Sequence, residues 1–404
     1  MRFIRSFIRI LSGMVFIFSG FVKGIDLTGS AIKFGDYFQA FHLGFLQPLA
    51  FPLAFLFPAA EFMIGVSLLF RLRVRTGIVG FFLFMLFFTP LTLILALFNP
   101  VRDCGCFGDA LVMTNWQTFS KNVVLLIFAL ILYFQKNSSP PLPAGREWVL
   151  LSVYFLLFTS VAWYSYNHLP LIDFRPYRTG TNIPAGMTLP EDAPHDVYKT
   201  VLIYEKDGVR KEFSMDNIPW QDTTWKFVDQ RTTLIEKGYT PPIHDFSITL
   251  PDGTDITDYV LGSKGYIFLL ISPDFSKADI QALKDAVNLY IWSNDHKIPF
   301  YVVTASPEES ATKLFGKPYP IPWTNMDETT CKTIVRSNPG LLLLKEGTIL
   351  AKWHYHDFPD TATLKDDLLS QSLSTLRRKA DIRLVLLFTV ILFFPVLVWR
   401  SNRK

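Results

Sequence analysis

Cysteine is almost absent from this chain. There are three in 404 residues, and two of them, Cys104 and Cys106, stand one residue apart in the hydrophilic stretch NPVRDCGCFGDALVM, Asn99 to Met113. So sparse a supply excludes the disulfide framework of a small secreted fold and makes the pair a candidate site. A large charge of one sign is missing too. The formal net charge is +4 and no basic stripe interleaved with aromatics appears, which removes nucleic acid from the expected partners. There is no P-loop, nucleophile elbow or Gly-rich dinucleotide fingerprint. No A-x-A-like cleavage site follows the first apolar run, so an uncleaved helix is expected at the N-terminus rather than a signal peptide.

Apolar residues are what the chain has in abundance. Hydrophobic residues make up 50% and aromatics 15% of a chain long enough for two or three domains, a composition that points to a membrane protein with the lipid bilayer as its first partner. Apolar runs predict spans near Ser6 to Val22, Leu49 to Phe70, Thr76 to Phe98, Thr118 to Phe134, Trp148 to Tyr166 and Ile382 to Trp399. Each approaches the ~20 residues needed to cross a ~30 Å hydrocarbon core. Arg9 and Lys121 shorten the first and fourth runs and are expected to reach an interface by snorkelling. Arg2, Arg5, Arg9, Arg71, Arg73, Arg75, Lys136, Arg146, Arg400, Arg403 and Lys404 all fall on one side of a six-span arrangement. The positive-inside rule then predicts an inner-membrane protein with both termini cytoplasmic, and the cysteine loop and the segment after the fifth span periplasmic.

The expected organisation is a membrane bundle over 1–135, a Pro/Ser-rich linker at 136–147, a span at 148–166, a periplasmic lead-in at 167–244, an α/β domain at 245–377 and a last span at 382–399. From Asp245 the apolar runs YIFLLIS and PFYVVTAS flank a helical stretch, as in a βαβ unit with buried parallel strands. A helix at ETTCKTIVRS and a hairpin turning at KEGT follow. That order is that of a thioredoxin-like fold, and Pro339 in RSNPGLLLL stands where such proteins keep a cis-proline.

Residues 1–135 resemble the DoxX/MauE family of four-helix membrane proteins, on the strength of FIFSGFVKGID, KFGDYFQAF, AAEFMIGVSLLF and RDCGCFGDAL. The resemblance implies a partner in thiol or quinone redox chemistry, with a quinone as candidate cofactor. The thioredoxin resemblance, over about Asp245 to Pro359, departs from its family at the decisive point. The helix after the first core strand should open on Cys-x-x-Cys, and here that place reads ISPDFSKADIQ. The fold class expected is therefore a DoxX-like four-helix bundle plus a degenerate, α/β thioredoxin-like domain held between two further transmembrane helices.

Cys104 and Cys106 can be read as a redox pair, Arg102 favouring a thiolate and Asp103 and Asp109 opposing it. A ring closed across one residue is strained and reducible, and Gly105 supplies the freedom it requires. A static staple is the rival reading; two thiolates without nearby histidines make a poor metal set, and no metal is expected. Glu61, ionisable within an apolar span, is the second candidate, either a proton carrier or half of an ion pair with Lys23. Pro52 and Pro58 share its helix. Asp26, Lys33, Asp36 and Tyr37 in the first outer loop either line the approach to the cysteines or form a solvated face. Cys331 reads as a small buried hydrophobe. His354 and His356 in WHYHD read as surface residues. The function expected is transfer of electrons or thiol–disulfide equivalents between a periplasmic client protein and the membrane, through Cys104, Cys106 and Glu61. Its rival is a membrane scaffold whose degenerate domain binds a partner.

Overall fold

The computed structural model describes the chain apart from residues 1, 102–103, 137–143, 191, 196, 215–216, 219–221, 237, 362–363 and 365–404. Two compact units result: Met1–Thr181 with Ser247–Lys404, and Asn182–Phe246. The sixth expected span, 382–399, lies outside the described residues.

In the first unit the apolar runs become α1 (Arg2–Ile25), α2 (Leu27–Ala40), α3 (Ala50–Phe70), α4 (Val74–Phe98), α5 (Asn115–Phe134) and α6 (Ala144–Asn167). Five helical stretches among the described residues are long and apolar enough to cross a membrane: Phe3–Ile25, Gly44–Phe70, Val74–Phe98, Asn115–Phe134 and Glu147–Asn167. Leu83, Leu86, Phe87, Leu97 and Phe98 of α4 remain exposed, as residues facing lipid do. The packing of α1 on α3 depends on missing side chains. A Cβ on Gly65 would lie 2.6 Å from the Ile17 backbone nitrogen, and one on Gly20 would lie 2.6 Å from the Pro58 carbonyl oxygen, so the two backbones touch. Pro52 falls in the first turn of α3, where its missing N–H leaves no bond unmade.

One expectation changes here. The first outer loop is helical: Asp26 caps α2 by accepting from the Gly29 amide at 2.8 Å, which turns KFGDYFQAF into a helix. Arg9, half-buried, reaches the end of a neighbouring span. Its guanidinium donates to the Leu68 and Leu69 carbonyls at the C-terminal end of α3, where free carbonyls and the helix dipole both favour a cation.

The second unit holds α7 (Ile183–Met187) and the strands β1 (Val197–Lys206), β2 (Val209–Ser214) and β3 (Lys226–Glu236). They form an antiparallel sheet in the order β2-β1-β3. Asp207 and Gly208, both at positive φ, make the two-residue turn between β1 and β2. The stretch expected to be a plain lead-in thus contains a sheet, and the Asp-Gly between two alternating runs was its signal.

The rest of the first unit is an α/β domain: α8 (Thr257–Gly262), β4 (Tyr266–Ser272), α9 (Ile280–Asp295), β5 (Phe300–Thr304), α10 (Glu309–Phe315), β6 (Trp323–Asn325), α11 (Glu328–Ile334), β7 (Gly340–Lys345) and β8 (Thr348–His354). The sheet order is β6-β5-β4-β7-β8; β4, β5 and β6 run parallel, and β7 is antiparallel to both its neighbours. Its central strands are buried on both faces, Phe268, Leu270, Val302, Leu341 and Leu343 packing with Phe275 and Leu283, which explains their uninterrupted apolar runs. Glu346 and Gly347, both at positive φ, close the β7–β8 hairpin. The Asn338–Pro339 peptide, just before β7, is cis.

The α1–α3 contact generates a test. Gly65→Ala forces a methyl against backbone that cannot yield and should lower stability by about 1–3 kcal/mol. Gly80→Ala meets only the Ile64 side chain, at 3.2 Å, and should be close to neutral. Thermal unfolding of the two purified variants in the same detergent distinguishes them.

Candidate functional site

The loop between α4 and α5 is held at both ends. Asn99 closes α4 in the left-handed conformation, and Thr114 opens α5 with a capping box shared with Gln117. Asn115 Nδ2 ties the ends together, donating to Asn99 Oδ1 at 2.7 Å and to the Val101 carbonyl at 2.9 Å. Between them Gly105 adopts φ +62°, which reverses the chain and brings Cys104 Sγ within 2.8 Å of Cys106 Sγ. Arg102 and Asp103 lie outside the described residues.

Two helices hold the loop from below. Tyr37 Oη donates to the Cys104 carbonyl at 2.6 Å from α2, so the helix that replaces the expected loop reaches the cysteines. Ser19 Oγ of α1 lies 2.8 Å from the Cys106 carbonyl and 2.9 Å from Glu61 Oε2, and its one proton can serve either acceptor. Glu61 is itself paired with Lys23 at 2.7 Å, both side chains being largely buried. The structure therefore joins the two regions singled out in the sequence, the cysteine pair and Glu61, through a serine that sequence reasoning did not select.

The thiols do not share a proton equally. Cys106 is lowered to about 6: the hydrogen bond from Cys104 stabilises its thiolate, burial opposes this, Lys121 and Lys23 add favourable charge, and Glu61 works against them. Cys104 is correspondingly pushed up, first by its hydrogen bond to Cys106 and then by burial. The direction of both shifts favours negative charge on Cys106 over Cys104. Lys121 reaches out of its span to the loop, holding its ammonium 4.4 Å from the centre of the Phe107 ring, beside the pair. Asp109, expected to oppose the thiolate, is engaged by Arg336 Nη2 at 3.2 Å.

The cysteines, Glu61 and Lys23 line one cavity of about 650 Å³ within the first unit. Phe34, Phe57, Phe84, Phe88 and Leu91 make part of its wall apolar. Phe84 and Phe88 stack at 4.4 Å and Phe57 meets Phe88 edge-on at 5.5 Å. Lys33, Asp36 and Tyr37 also line it, and Asp26 is bound by Arg336 at 3.0 Å, so these residues are walls and ties rather than a solvated face.

The remaining candidates sit elsewhere. Cys331 is fully buried in α11, and burial, with Asp327 and Glu328 nearby, pushes its thiol up to about 12, leaving an inert side chain. His354 is buried, not at the surface, and accepts from the His356 amide. His356 lies beyond the strand in a short turn, where Nδ1 contacts the Asn167 carbonyl at 2.8 Å, while Asp357 binds His168 at 2.7 Å. These contacts tie the end of α6 to the α/β domain. No group of three His, Cys, Asp or Glu among the described residues is placed to hold a metal ion.

Five span-length helices among the described residues, four of which line the cavity, are compatible with a multi-pass helical membrane protein that carries an α/β domain in the same unit. Within it, residues 1–135 match the family described as methylamine utilisation protein MauE, and residues 198–237, which include most of the antiparallel sheet, match a domain of unknown function, DUF8463. No curated protein and no solved structure matches the chain.

The uneven thiols have a measurable consequence. Alkylation of Cys106 in the reduced protein should rise with pH around a midpoint near 6. Cys104→Ala removes the principal donor to the thiolate and should move that midpoint upward. Lys121→Met removes a favourable charge and should move it the same way by less. Mass spectrometry of iodoacetamide adducts against pH reads all three.

Proposed function

We propose that this protein is a membrane thiol–disulfide oxidoreductase component of DoxX/MauE type, moving electrons from the thiols of a periplasmic client to an acceptor in the membrane. One observation carries the reading. Two cysteine sulfurs 2.8 Å apart lie in the wall of a cavity that continues among the helices and also contains a buried carboxylate. Such a pair, activated by lysines and accessible to a cavity, matches what thiolate chemistry requires.

In the oxidised form the Cys104–Cys106 disulfide accepts attack by a client thiolate, giving a mixed disulfide. The client's second thiol then displaces it. The client leaves oxidised, and the protein retains two electrons as the dithiol. Reoxidation removes those electrons and two protons. Charge is favoured on Cys106 over Cys104, so the proton harder to remove at the sulfurs is that of Cys104. Glu61, paired with Lys23 and bridged by Ser19 to the cysteine loop, is the group positioned to move or balance it. The cavity's volume is that of a small-molecule site, and Phe57, Phe84 and Phe88 give it an aromatic wall within the bundle, which supports a quinone as its occupant. When bound, the quinone supplies an acceptor for two electrons and two protons.

The α/β domain reads as thioredoxin-like in its sheet order and in the cis peptide before β7. Where such a domain would carry its dithiol, this one has Asp274 and a short turn at Phe275–Lys277, against which Asn338 packs by donating to the Asp274 carbonyl at 2.8 Å. That observation favours the second reading, a scaffold whose domain binds a partner and whose loop cysteines are a staple. The arginine pattern supports a cytoplasmic N-terminus in the inner membrane, with the cysteine loop and the α/β domain periplasmic.

Two experiments test these readings. Thiol trapping in native membranes should find Cys104 and Cys106 oxidised when quinone is plentiful and reduced when it is depleted. Changing both to serine should abolish client oxidation while costing about 1 kcal/mol or less of stability, because so short a loop contributes little closure entropy. A serine protein that disappears from the membrane makes the bond a staple. Reporter fusions after Gly145 should read cytoplasmic and those within Glu205 to Lys352 periplasmic; a cytoplasmic signal from the latter reverses the orientation.

A further inference from the structure

The α/β domain lacks a dithiol, yet it contributes to the cysteine cavity. Thr329, Lys332, Thr333 and Arg336, on or just after α11, line it together with the bundle residues. Arg336 is the residue that makes the connection. Nε lies 3.1 and 3.0 Å from the two carboxylate oxygens of Asp26, and Nη2 lies 3.2 Å from Asp109 Oδ2. Nη1 donates to the Lys332 carbonyl at 2.6 Å, which fixes the guanidinium on its own helix. Little of the side chain is exposed, at 10%.

The two carboxylates belong to different segments of the bundle. Asp26 is the corner between α1 and α2, capping α2 and standing three residues after Lys23, the partner of Glu61. Asp109 follows Cys106 by three positions in the turn Gly108–Ala110. A single planar cation in contact with both holds the corner and the cysteine loop at one separation. Arginine suits the task because its fork can meet two carboxylates at once, which a lysine ammonium does less well.

We propose that Arg336 is a positioning residue of the cysteine site, through which the α/β domain latches the cysteine loop against the α1–α2 corner and shelters Cys104 and Cys106. The latch closes the end of the cavity formed by the α/β domain and leaves the pair facing the bundle. Its release exposes the thiols to water and to a client. The degenerate domain then has a role that requires no cysteine of its own. The consequence for turnover rests on the redox reading above, whereas the sheltering of the thiols does not.

The full chain in native membranes provides the test, because its three cysteines report separately. After reduction, a membrane-impermeant maleimide is applied and the adducts at Cys104, Cys106 and Cys331 are followed by mass spectrometry. Arg336→Glu should raise the labelling rate of Cys104 and Cys106 at least tenfold, with Cys331 still protected. Asp109→Asn, which keeps the Asp26 contact, should raise it a few-fold. Arg336→Lys should remain within a few-fold of the parent. Arg336→Asp combined with Asp109→Arg should return much of the protection lost in the single variant. Unchanged rates in Arg336→Glu overturn the proposal. So does a parallel gain at Cys331, since that thiol is fully buried in the α/β domain and labels only if the domain opens. If thiol trapping shows that the pair never cycles, the redox reading fails while the labelling result stands.

Discussion

A carboxylate inside a bundle of apolar helices cannot stand alone, and Glu61 imposes that constraint on everything around it. Removing an ionised group from water costs several kcal/mol, which only a close counter-charge with good hydrogen bonds repays. Lys23 supplies the charge and Ser19 the hydroxyl, both from α1. Facing them across the contact requires α1 and α3 to approach backbone to backbone, and the glycines at 13, 20 and 65 permit it. Beside this polar knot the bundle leaves a cavity, and the cysteine loop settles over it because Ser19 also reaches the Cys106 carbonyl. Ion pairs of this kind are poor sources of stability, so stability alone does not account for one in a bundle that could have been filled with leucine.

The cysteine loop inherits its electrostatics from that arrangement. Lys23 and Lys121 come from separate helices, and both favour charge on Cys106. Arg336 engages Asp109, three residues after Cys106. A second buried set stabilises the segment leading into the α/β domain. Asp173 lies between Arg175 and Lys352 at 2.7 and 2.8 Å; burial disfavours its charge, but the two cations outweigh this and hold its carboxyl well below the usual range. Lys352 is on β8, so the edge strand of the domain's sheet is fastened to the segment that carries Asp173. The two parts of the unit are thus connected by ion pairs with little access to water, which salt screens less than surface pairs.

Hydropathy, turn residues and the positions of apolar runs were sufficient to place the helices of the bundle, the parallel strands β4 and β5 and the KEGT hairpin, since each rests on neighbours within a few residues. The Asp-Gly hairpin at 207–208 was legible by the same means, in a stretch treated as a lead-in. Helix α2 was harder to see. Its residues mix charge, glycine and aromatics without a clean stripe, and its start depends on how the Asp26 side chain turns onto Gly29.

The cysteine pair and Glu61 could be singled out because their residue types are out of place where they stand: thiols in a chain nearly without them, a carboxylate in an apolar run. Ser19, Lys121 and Arg336 are ordinary residues in ordinary positions. They matter through contacts with partners 42, 87, 227 and 310 positions away or through a lysine's direction across a helix face. Local patterns carry periodicity and composition, and these determined which segments would be helix, strand or membrane span. Which side chains would meet in the cavity depended on how whole helices dock, since helix docking is settled by shape and buried charge summed over the assembled unit, and only the tertiary structure contains that sum.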